Sequence, residues 1–214
     1  MKVRCIKADF DRYLSKNKWQ IFSVVLFLVA GVLLGAYMSV SMEGEETKLL
    51  GSYINNFVSA YNLQNLNLFD VFKFSVYSNI KTVLFVSLSG LWIGFLPLLF
   101  LQVGAKGYKF GFSIAMLVKR FGLKGAIFAI LSSFPQVFIF IPLFVFYAVF
   151  NINFAFFQKQ KHTTSVTSRM KTEIYIKNLS YLLVMIAASF LVAAFDAYIV
   201  PQILKPLCAV WGKY

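Results

Sequence analysis

Residues 90–150 read GLWIGFLPLLFLQVGAKGYKFGFSIAMLVKRFGLKGAIFAILSSFPQVFIFIPLFVFYAVF, and the architecture of the chain depends on how this stretch is divided. It is mostly apolar, but glycines, prolines and short basic clusters separate it into pieces of unequal length. The whole chain of 214 residues is 59% hydrophobic and 14% charged, whereas about 25% of residues in soluble proteins are charged. The sequence therefore predicts an all-α polytopic membrane protein, with residues 1–214 forming a single integral membrane domain.

The basic residues are placed as in a membrane protein. The formal net charge of +13 would also suit a nucleic-acid-binding protein, but the lysines and arginines flank apolar runs in short clusters. Such clusters fix membrane orientation and contact anionic lipid headgroups, so we expect those headgroups as partners and no nucleic acid. Cys5 and Cys208 lie far apart without a CxxC motif, and neither a metal site nor a disulfide framework is predicted.

The basic N-terminal segment, residues 1–18, sets the predicted orientation. It carries six lysine or arginine residues against two aspartates and precedes a charge-free apolar run at 21–38, about the length of one membrane span. The positive-inside rule places this N-terminus in the cytoplasm. Residues 42–75 are more polar and acidic, and they are predicted to form an extracytoplasmic segment.

Within that segment, large apolar residues recur at i, i+3, i+4 and i+7, which is typical of an amphipathic helix. They are Leu50, Tyr53, Ile54, Phe57, Val58 and Tyr61. Two interpretations are equally open. The face that carries Tyr53, Phe57 and Tyr61 either contacts a partner protein or packs on the membrane domain of its own chain.

The central stretch does not divide into pieces of membrane thickness. A second span is predicted at residues 82–103, and it returns the chain to the cytoplasm at Lys106. Residues 104–118 make roughly 22 Å of helix, which is short for a hydrocarbon core of about 30 Å. Residues 125–157 would make a helix of roughly 50 Å, which is too long.

Two topologies follow from these lengths and charges. Residues 158–177 are predicted to form a basic cytoplasmic loop, followed by a last span at 179–200. Either both central pieces cross, giving five spans with the basic residues 119–124 outside, or both are re-entrant and only three segments cross. Both topologies put the N-terminus in the cytoplasm and the C-terminus outside. We favour about five transmembrane helices, with short or broken helices in the central region.

Small residues at four-residue spacing predict close helix packing. They are Gly31 with Gly35, Gly90 with Gly94, Gly107 with Gly111, and Ser189 with Ala193 and Ala197. Packing within the chain is the ordinary explanation of each pair. Their number also predicts a homo-oligomer.

Prolines indicate a broken core. Pro97 interrupts the second predicted span, while Pro135 and Pro142 are about two helical turns apart and distort the same face of the long apolar piece. Gln136 is placed to bond backbone groups that Pro135 frees. This pattern fits either a structural kink or a broken helix at a substrate site, as in transporters.

Asp196 is the one carboxylate inside a predicted span, and an intramembrane charge is a functional candidate by default. Its position near the outer interface also allows a structural role, with water, a backbone donor or Lys205 as partner. An aspartyl protease needs a second carboxylate, and the sole histidine, His162, lies in a polar loop without a nucleophile-type turn. We therefore predict no enzymatic activity, no catalytic residues, and no cofactor or metal.

Three motifs follow one another in the central stretch. They are KGYKFGF at 106–112, GLKG at 122–125 and FPQVFIFIP at 134–142. With the basic N-terminus, the polar outer segment and the final span, this order resembles the stage II sporulation protein M family over nearly the whole chain.

The resemblance implies a non-enzymatic membrane component of the engulfment machinery in endospore-forming bacteria. Such a protein lies in the mother-cell membrane at the sporulation septum. It is a scaffold that localises two peptidoglycan-degrading partners, stage II sporulation proteins P and D. The wider family also includes members associated with transporters, so the alternative is a permease-like subunit with a site around Pro135 and Gln136.

Overall fold

The computed structural model describes residues 15–43, 52, 67–161 and 168–204. In these ranges all regular elements are helices and no strand occurs, which confirms the all-α membrane fold. The helices are α1 (Lys18–Ser41), α2 (Leu68–Ser89), α3 (Leu96–Pro135), α4 (Ile141–Lys161) and α5 (Ser168–Ala194). The prediction for Tyr53, Phe57 and Tyr61 concerns residues outside the described ranges.

Four helical runs of the described chain are long and apolar enough to cross a membrane. Two of them are α1 and α2. The other two are composite runs, Ile93–Lys159 and Thr172–Leu204. The run Ile93–Lys159 has 67 residues, which would extend about 100 Å if it were straight, and it therefore has to bend.

The bend in this run is a reversal at Gly122. Its φ of 59° and ψ of −137° form a conformation that is essentially restricted to glycine, because residues with a Cβ rarely adopt a positive φ without strain. The reversal divides α3 into a first arm, residues 96–121, and a second arm, residues 123–135.

The two arms of α3 lie side by side. Gly125 packs against the carbonyl group of Leu117, although the two residues would be about 12 Å apart on a straight helix. Further from the turn, Ser113 of the first arm and Ser132 of the second line the same cavity. The four apolar runs thus comprise five legs: α1, α2, the first arm of α3, the second arm with its continuation into α4, and a last leg formed by the run Thr172–Leu204.

The second span lies earlier in the chain than predicted. A helix at 82–103 is wrong, because α2 covers Leu68–Ser89 and a non-helical turn follows at 90–92. The exposed charges of Lys73 and Lys81 on α2 explain the error, since they give the first half of this span a polar composition. α2 begins at Leu68, within the predicted extracytoplasmic segment 42–75, and the side of the membrane on which this segment lies stays a prediction.

With this shift the short central piece disappears, whereas the long piece remains. Because α3 begins at Leu96, its first arm has 26 residues, or roughly 39 Å. The long piece is one leg of second arm, π-turn and α4. The predicted cytoplasmic loop at 158–177 holds the end of α4, at Lys161, and the start of α5, at Ser168, and its cytoplasmic location stays a prediction.

The closest interface joins α1 to the first arm of α3. The contacts are Gly31 to Gly104, Gly35 to Tyr108, Gly107 to Leu28 and Gly111 to Val32, all on backbone atoms. Residue numbers rise together from the pair 31–104 to 35–108 and from 28–107 to 32–111, so the two helices run parallel. A Cβ at Gly31, Gly35, Gly107 or Gly111 would overlap the neighbouring backbone, and the glycine spacing is what allows the helices to touch.

The other small residues have different surroundings. Gly90 and Gly94 do not form a helix face, contrary to the prediction: Gly90 lies in the turn after α2 against the side chain of Asn151, and Gly94 lies beside the ring of Trp92. Ser189, Ala193 and Ala197 are fully buried in the last leg, where α5 packs most extensively on α2. The glycine faces that suggested a homo-oligomer are thus occupied within the chain.

All five helices contribute to one apolar core. Fully buried side chains of this core are Val24 of α1, Val86 of α2, Leu99 of α3, Phe144 of α4 and Val192 of α5. Because lipid tails are as apolar as these side chains, the burial stabilises the bundle through dispersion contacts rather than through the hydrophobic effect. It also fixes the legs around the polar residues described below.

Hydrogen bonds at the two ends of the bundle show which helix ends lie together. At one end, Asn153 of α4 hydrogen-bonds Asn17 and Gln20 at the start of α1, each at 3.0 Å. At the other end, Lys119 Nζ donates to carbonyl groups at the end of α1, including that of Val40 at 3.0 Å. The tip of the α3 hairpin therefore lies at the same end of the bundle as the end of α1.

Candidate functional site: a polar cavity between α2, α3 and α5

A cavity of about 630 Å³ lies between α2, both arms of α3 and the last leg. Its walls include five serines and four charged side chains, Asp70, Lys106, Lys109 and Asp196. Polar groups inside a membrane bundle are costly unless they are bonded or serve a function. A smaller cavity of about 360 Å³ beside the α1–α3 interface is apolar except for Lys119. The larger cavity is therefore the candidate site.

Within the described part of the chain, only one of the two carboxylate oxygens of Asp196 forms hydrogen bonds. Its Oδ2 accepts hydrogen bonds from Ser75 Oγ at 2.7 Å and from Gln136 Nε2 at 3.0 Å. Its Oδ1 is buried and has no hydrogen-bond partner in the described part of the chain. Sequence analysis suggested water, a backbone donor or Lys205 as its partner; the structure instead joins it to α2 and to the second half of the central stretch.

Gln136 directly follows the second arm of α3. Pro135 keeps helical dihedral angles, φ −64° and ψ −38°, and the chain continues as a π-turn, Gln136–Phe140, into α4 with Pro142 in its first turn. Pro97 lies in the first turn of α3, where its missing N–H removes no helical bond. The α-helix therefore gives way to the π-turn directly after Pro135, and Pro97 marks the start of a helix. The sharper interruptions are the turn at 90–92 and the reversal at Gly122.

Two π-turns meet at the cavity, and they are the only ones among the described residues. Gln136 begins the first, and Asp196 belongs to the second, Phe195–Ile199. A π-turn inserts one residue into an α-helix and is frequent at functional sites. Here each turn supplies one partner of the Gln136–Asp196 hydrogen bond, so the local widening of both helices positions this pair.

Lys106 is a second charge inside the bundle, with only 7% of its surface exposed. Its Nζ donates to Asn79 Oδ1 at 2.8 Å and lies 4.7 Å from the centre of the Phe140 ring, where the π electrons attract a cation. Its predicted position at the cytoplasmic end of a span is wrong. Because α3 starts at Leu96, Lys106 lies about 15 Å into this leg.

Asn79 extends the polar cluster on α2. It is 1% exposed, and its Nδ2 has no hydrogen-bond partner among the residues that the structure describes. Ser75 lies four residues earlier, and this spacing puts both side chains on one face of the helix. The α2 face therefore offers a bonded hydroxyl to Asp196 and a free amide donor near Lys106.

Sequence reasoning identified Asp196 and Gln136 but not their connection, and it missed Ser75, Asn79 and Lys106. Only Lys106 had a usable signal. If Pro97 is taken as the first turn of a helix, Lys106 falls in the middle of a span and becomes a candidate by the rule for intramembrane charges.

The arrangement offers two opposite charges for binding. Lys106 and Asp196 each bond neutral side chains instead of each other, so a cation and an anion face one cavity without forming a pair. Among the described residues, no group of three His, Cys, Asp or Glu side chains is placed to hold a metal ion.

The chain was compared with known proteins. A family model described as stage II sporulation protein M matches residues 23–201, a range that holds nearly all of the five legs, both π-turns and every residue of the polar cluster. No curated protein and no solved structure matches the chain.

Proposed function

The chain belongs to the stage II sporulation protein M family, and on this premise we propose that it is a non-enzymatic scaffold of the engulfment machinery. It is a multi-pass sporulation membrane protein. In the proposed role it lies in the mother-cell membrane at the septum and anchors two peptidoglycan-degrading partners, stage II sporulation proteins P and D. The family match over residues 23–201 is the observation that carries this proposal.

The exposed faces of α1 and α2 support a scaffold. In the apolar window of each helix only 17% of the residues are buried, so lipid or partner helices have to cover most of the surface. The chain between Glu43 and Asn67, which carries Tyr53, Phe57 and Tyr61, leaves and re-enters the bundle at the end where Lys119 contacts α1. We propose that this end is extracytoplasmic and that the three aromatic residues contact a partner.

A pull-down from membranes tests the partner contact. We expect a variant with Tyr53, Phe57 and Tyr61 replaced by serine to recover at least tenfold less of protein P or D than the unchanged chain. The matched control replaces Asn55, Asn62 and Asn65 by serine in the same segment. Equal recovery with both variants would contradict the assignment of the aromatic face.

Cysteine labelling tests the orientation. In a chain with Cys5→Ser and Cys208→Ser, a Lys124→Cys variant is treated with a membrane-impermeant maleimide in intact cells. Labelling is expected without permeabilisation, because the α3 hairpin tip lies at the proposed outer end, whereas Lys18→Cys should need permeabilisation. The reverse pattern would place the partner-facing segment in the cytoplasm and exclude a contact with wall hydrolases.

The cavity favours a second function, a permease-like subunit of a membrane transporter. A scaffold needs only a packed core, whereas a transporter needs a polar site between its spans, and this site contains the predicted residue Gln136. Alternating access predicts that Ser132→Cys reacts with impermeant reagents from both sides of the membrane. Reaction from one side only would contradict transport and leave the scaffold role intact.

A further inference from the structure

We propose that the cavity between α2, α3 and α5 binds a small zwitterionic solute, an amino acid or dipeptide that carries both an ammonium and a carboxylate group. The proposal does not rest on the scaffold role. It gives the permease-like alternative a ligand class, and it holds equally for a solute that is bound without being transported.

One side of the cavity is built to accept a carboxylate. Lys106 Nζ uses one of its three N–H donors on Asn79 Oδ1. The Nδ2 donor of Asn79 is buried and without a hydrogen-bond partner in the described chain. Because both groups belong to the same hydrogen-bonded pair, their free donors are close together, and a carboxylate bound there would satisfy both.

The other side is built to accept an ammonium group. Ser75 and Gln136 both donate to Oδ2 of Asp196, which fixes the orientation of the carboxylate and leaves Oδ1 buried and unbonded by the residues that the structure describes. A carboxylate oxygen only accepts hydrogen bonds. An ammonium group is the complementary donor, and its attraction to Asp196 is stronger in this low-dielectric interior than in water.

The charge balance of the walls selects a dipolar ligand over an ion. The lining holds two acidic residues, Asp70 and Asp196, and two lysines, Lys106 and Lys109, so its formal charges sum to zero and a ligand with net charge would leave the occupied site charged. A volume of about 630 Å³ is within the range of small-molecule sites and accommodates an amino acid or dipeptide together with bridging water. Apolar wall residues such as Phe74 and Phe110 are available to the solute's side chain.

Calorimetric titration of the purified full chain in detergent tests the ligand class. The probes are alanine and alanyl-alanine, with alaninamide, N-acetylalanine and N-acetylalaninamide as matched compounds that lack one or both charges. At least one zwitterion should bind with a dissociation constant at least tenfold lower than all three blocked compounds. No zwitterion binding at millimolar concentration, or equal binding of the blocked compounds, would overturn the proposal.

Two charge variants locate the site. Asp196→Asn and Lys106→Gln should each weaken binding of the zwitterion at least tenfold, because each removes the partner of one ligand charge. Lys73→Gln, an exposed lysine of α2 outside the cavity lining, should leave the affinity unchanged. An equal loss in all three variants, or no loss in the first two, would contradict the site.

A filling variant keeps the test valid if a charge variant fails to fold. Ser132→Trp places an indole in the cavity without removing a charge, and it should abolish binding, whereas Ser180→Trp on the exposed face of α5 should not. Retained binding in Ser132→Trp would overturn the proposal. The solute-binding measurement uses no partner protein, so its result is independent of the scaffold role. If the chain binds the solute but captures no partner protein, the scaffold role alone is contradicted. If it captures the partners but binds no solute, this inference alone is contradicted.

Discussion

Two interfaces of this bundle are built in opposite ways. Between α1 and the first arm of α3, glycines bring two backbones into direct contact, and dispersion stabilises the pair. Between α2, α3 and the last leg, a cavity separates the helices and leaves polar atoms without partners in the described structure. Unbonded buried polar atoms destabilise a fold, so we infer that the glycine interface provides stability and the cavity provides function.

The largest expected effect is at the glycine interface. A Cβ at Gly111 would overlap the carbonyl oxygen of Val32, so Gly111→Ala should lower the free energy of unfolding by about 3 kcal/mol through overpacking. At Gly104 the nearest atom to a Cβ is the Phe27 carbonyl oxygen at 3.7 Å, and Gly104→Ala should stay within about 1 kcal/mol. Thermal unfolding in detergent, followed by circular dichroism, measures both. Equal shifts would contradict the backbone contact.

The reversal at Gly122 should give the next largest effect. A Cβ there meets nothing within 4 Å, so the loss in Gly122→Ala comes from the backbone conformation alone, about 2 kcal/mol. Leu123→Ala, at a side chain that is 80% exposed, is the matched control. Unfolding midpoints that do not differ between these variants would show that the hairpin does not depend on the positive φ.

Substitutions of Asp196 test whether this polar residue of the cavity serves function rather than stability. Asp196→Ala leaves the donors of Ser75 and Gln136 without an acceptor and should cost about 1–2 kcal/mol. Asp196→Asn keeps an acceptor for these donors and removes the unbonded charge, so the protein should be as stable as the unchanged chain or more stable. A loss of stability in the asparagine variant equal to that in the alanine variant would assign Asp196 a structural role.

The smallest effect is expected at the end of the glycine interface where Lys119 contacts α1. Lys119 donates to the last carbonyl groups of α1, where a cation also interacts favourably with the helix dipole, so Lys119→Met should cost about 0.5 kcal/mol. Arg120→Met, at the neighbouring exposed residue, should change the unfolding midpoint less. A larger shift for Arg120 than for Lys119 would contradict this contact.

The glycine interface could be predicted in part from the sequence. A four-residue glycine spacing is a local signal, and it correctly placed Gly31 and Gly35, and Gly107 and Gly111, on helix faces that pack closely. The same spacing failed at Gly90 and Gly94, because a turn follows α2 there. Spacing indicates a smooth face only where the helix is continuous, and it does not identify the partner helix.

The cavity could not be predicted in this way. Its polar residues Ser75, Lys106, Gln136 and Asp196 come from four separate legs, and each alone has an ordinary structural explanation. The reversal at Gly122 brings Lys106 and Gln136 to the same depth of the bundle. Predicting their proximity from the sequence would have required recognising Gly122 as a turn. The exposed lysines of α2 also make the span that carries Ser75 more polar in sequence, so this span was predicted at other residues.

Cysteine reactivity compares the two interfaces in one experiment. In a chain with Cys5→Ser and Cys208→Ser, single cysteines are placed at Ser113 and Ser132 in the cavity and at the fully buried Ser39 of α1, and rates of reaction with a small water-soluble thiosulfonate are measured in membranes. The two cavity cysteines should react at least tenfold faster than the cysteine at position 39. Equal rates at all three positions would contradict a water-accessible cavity beside a closed glycine interface.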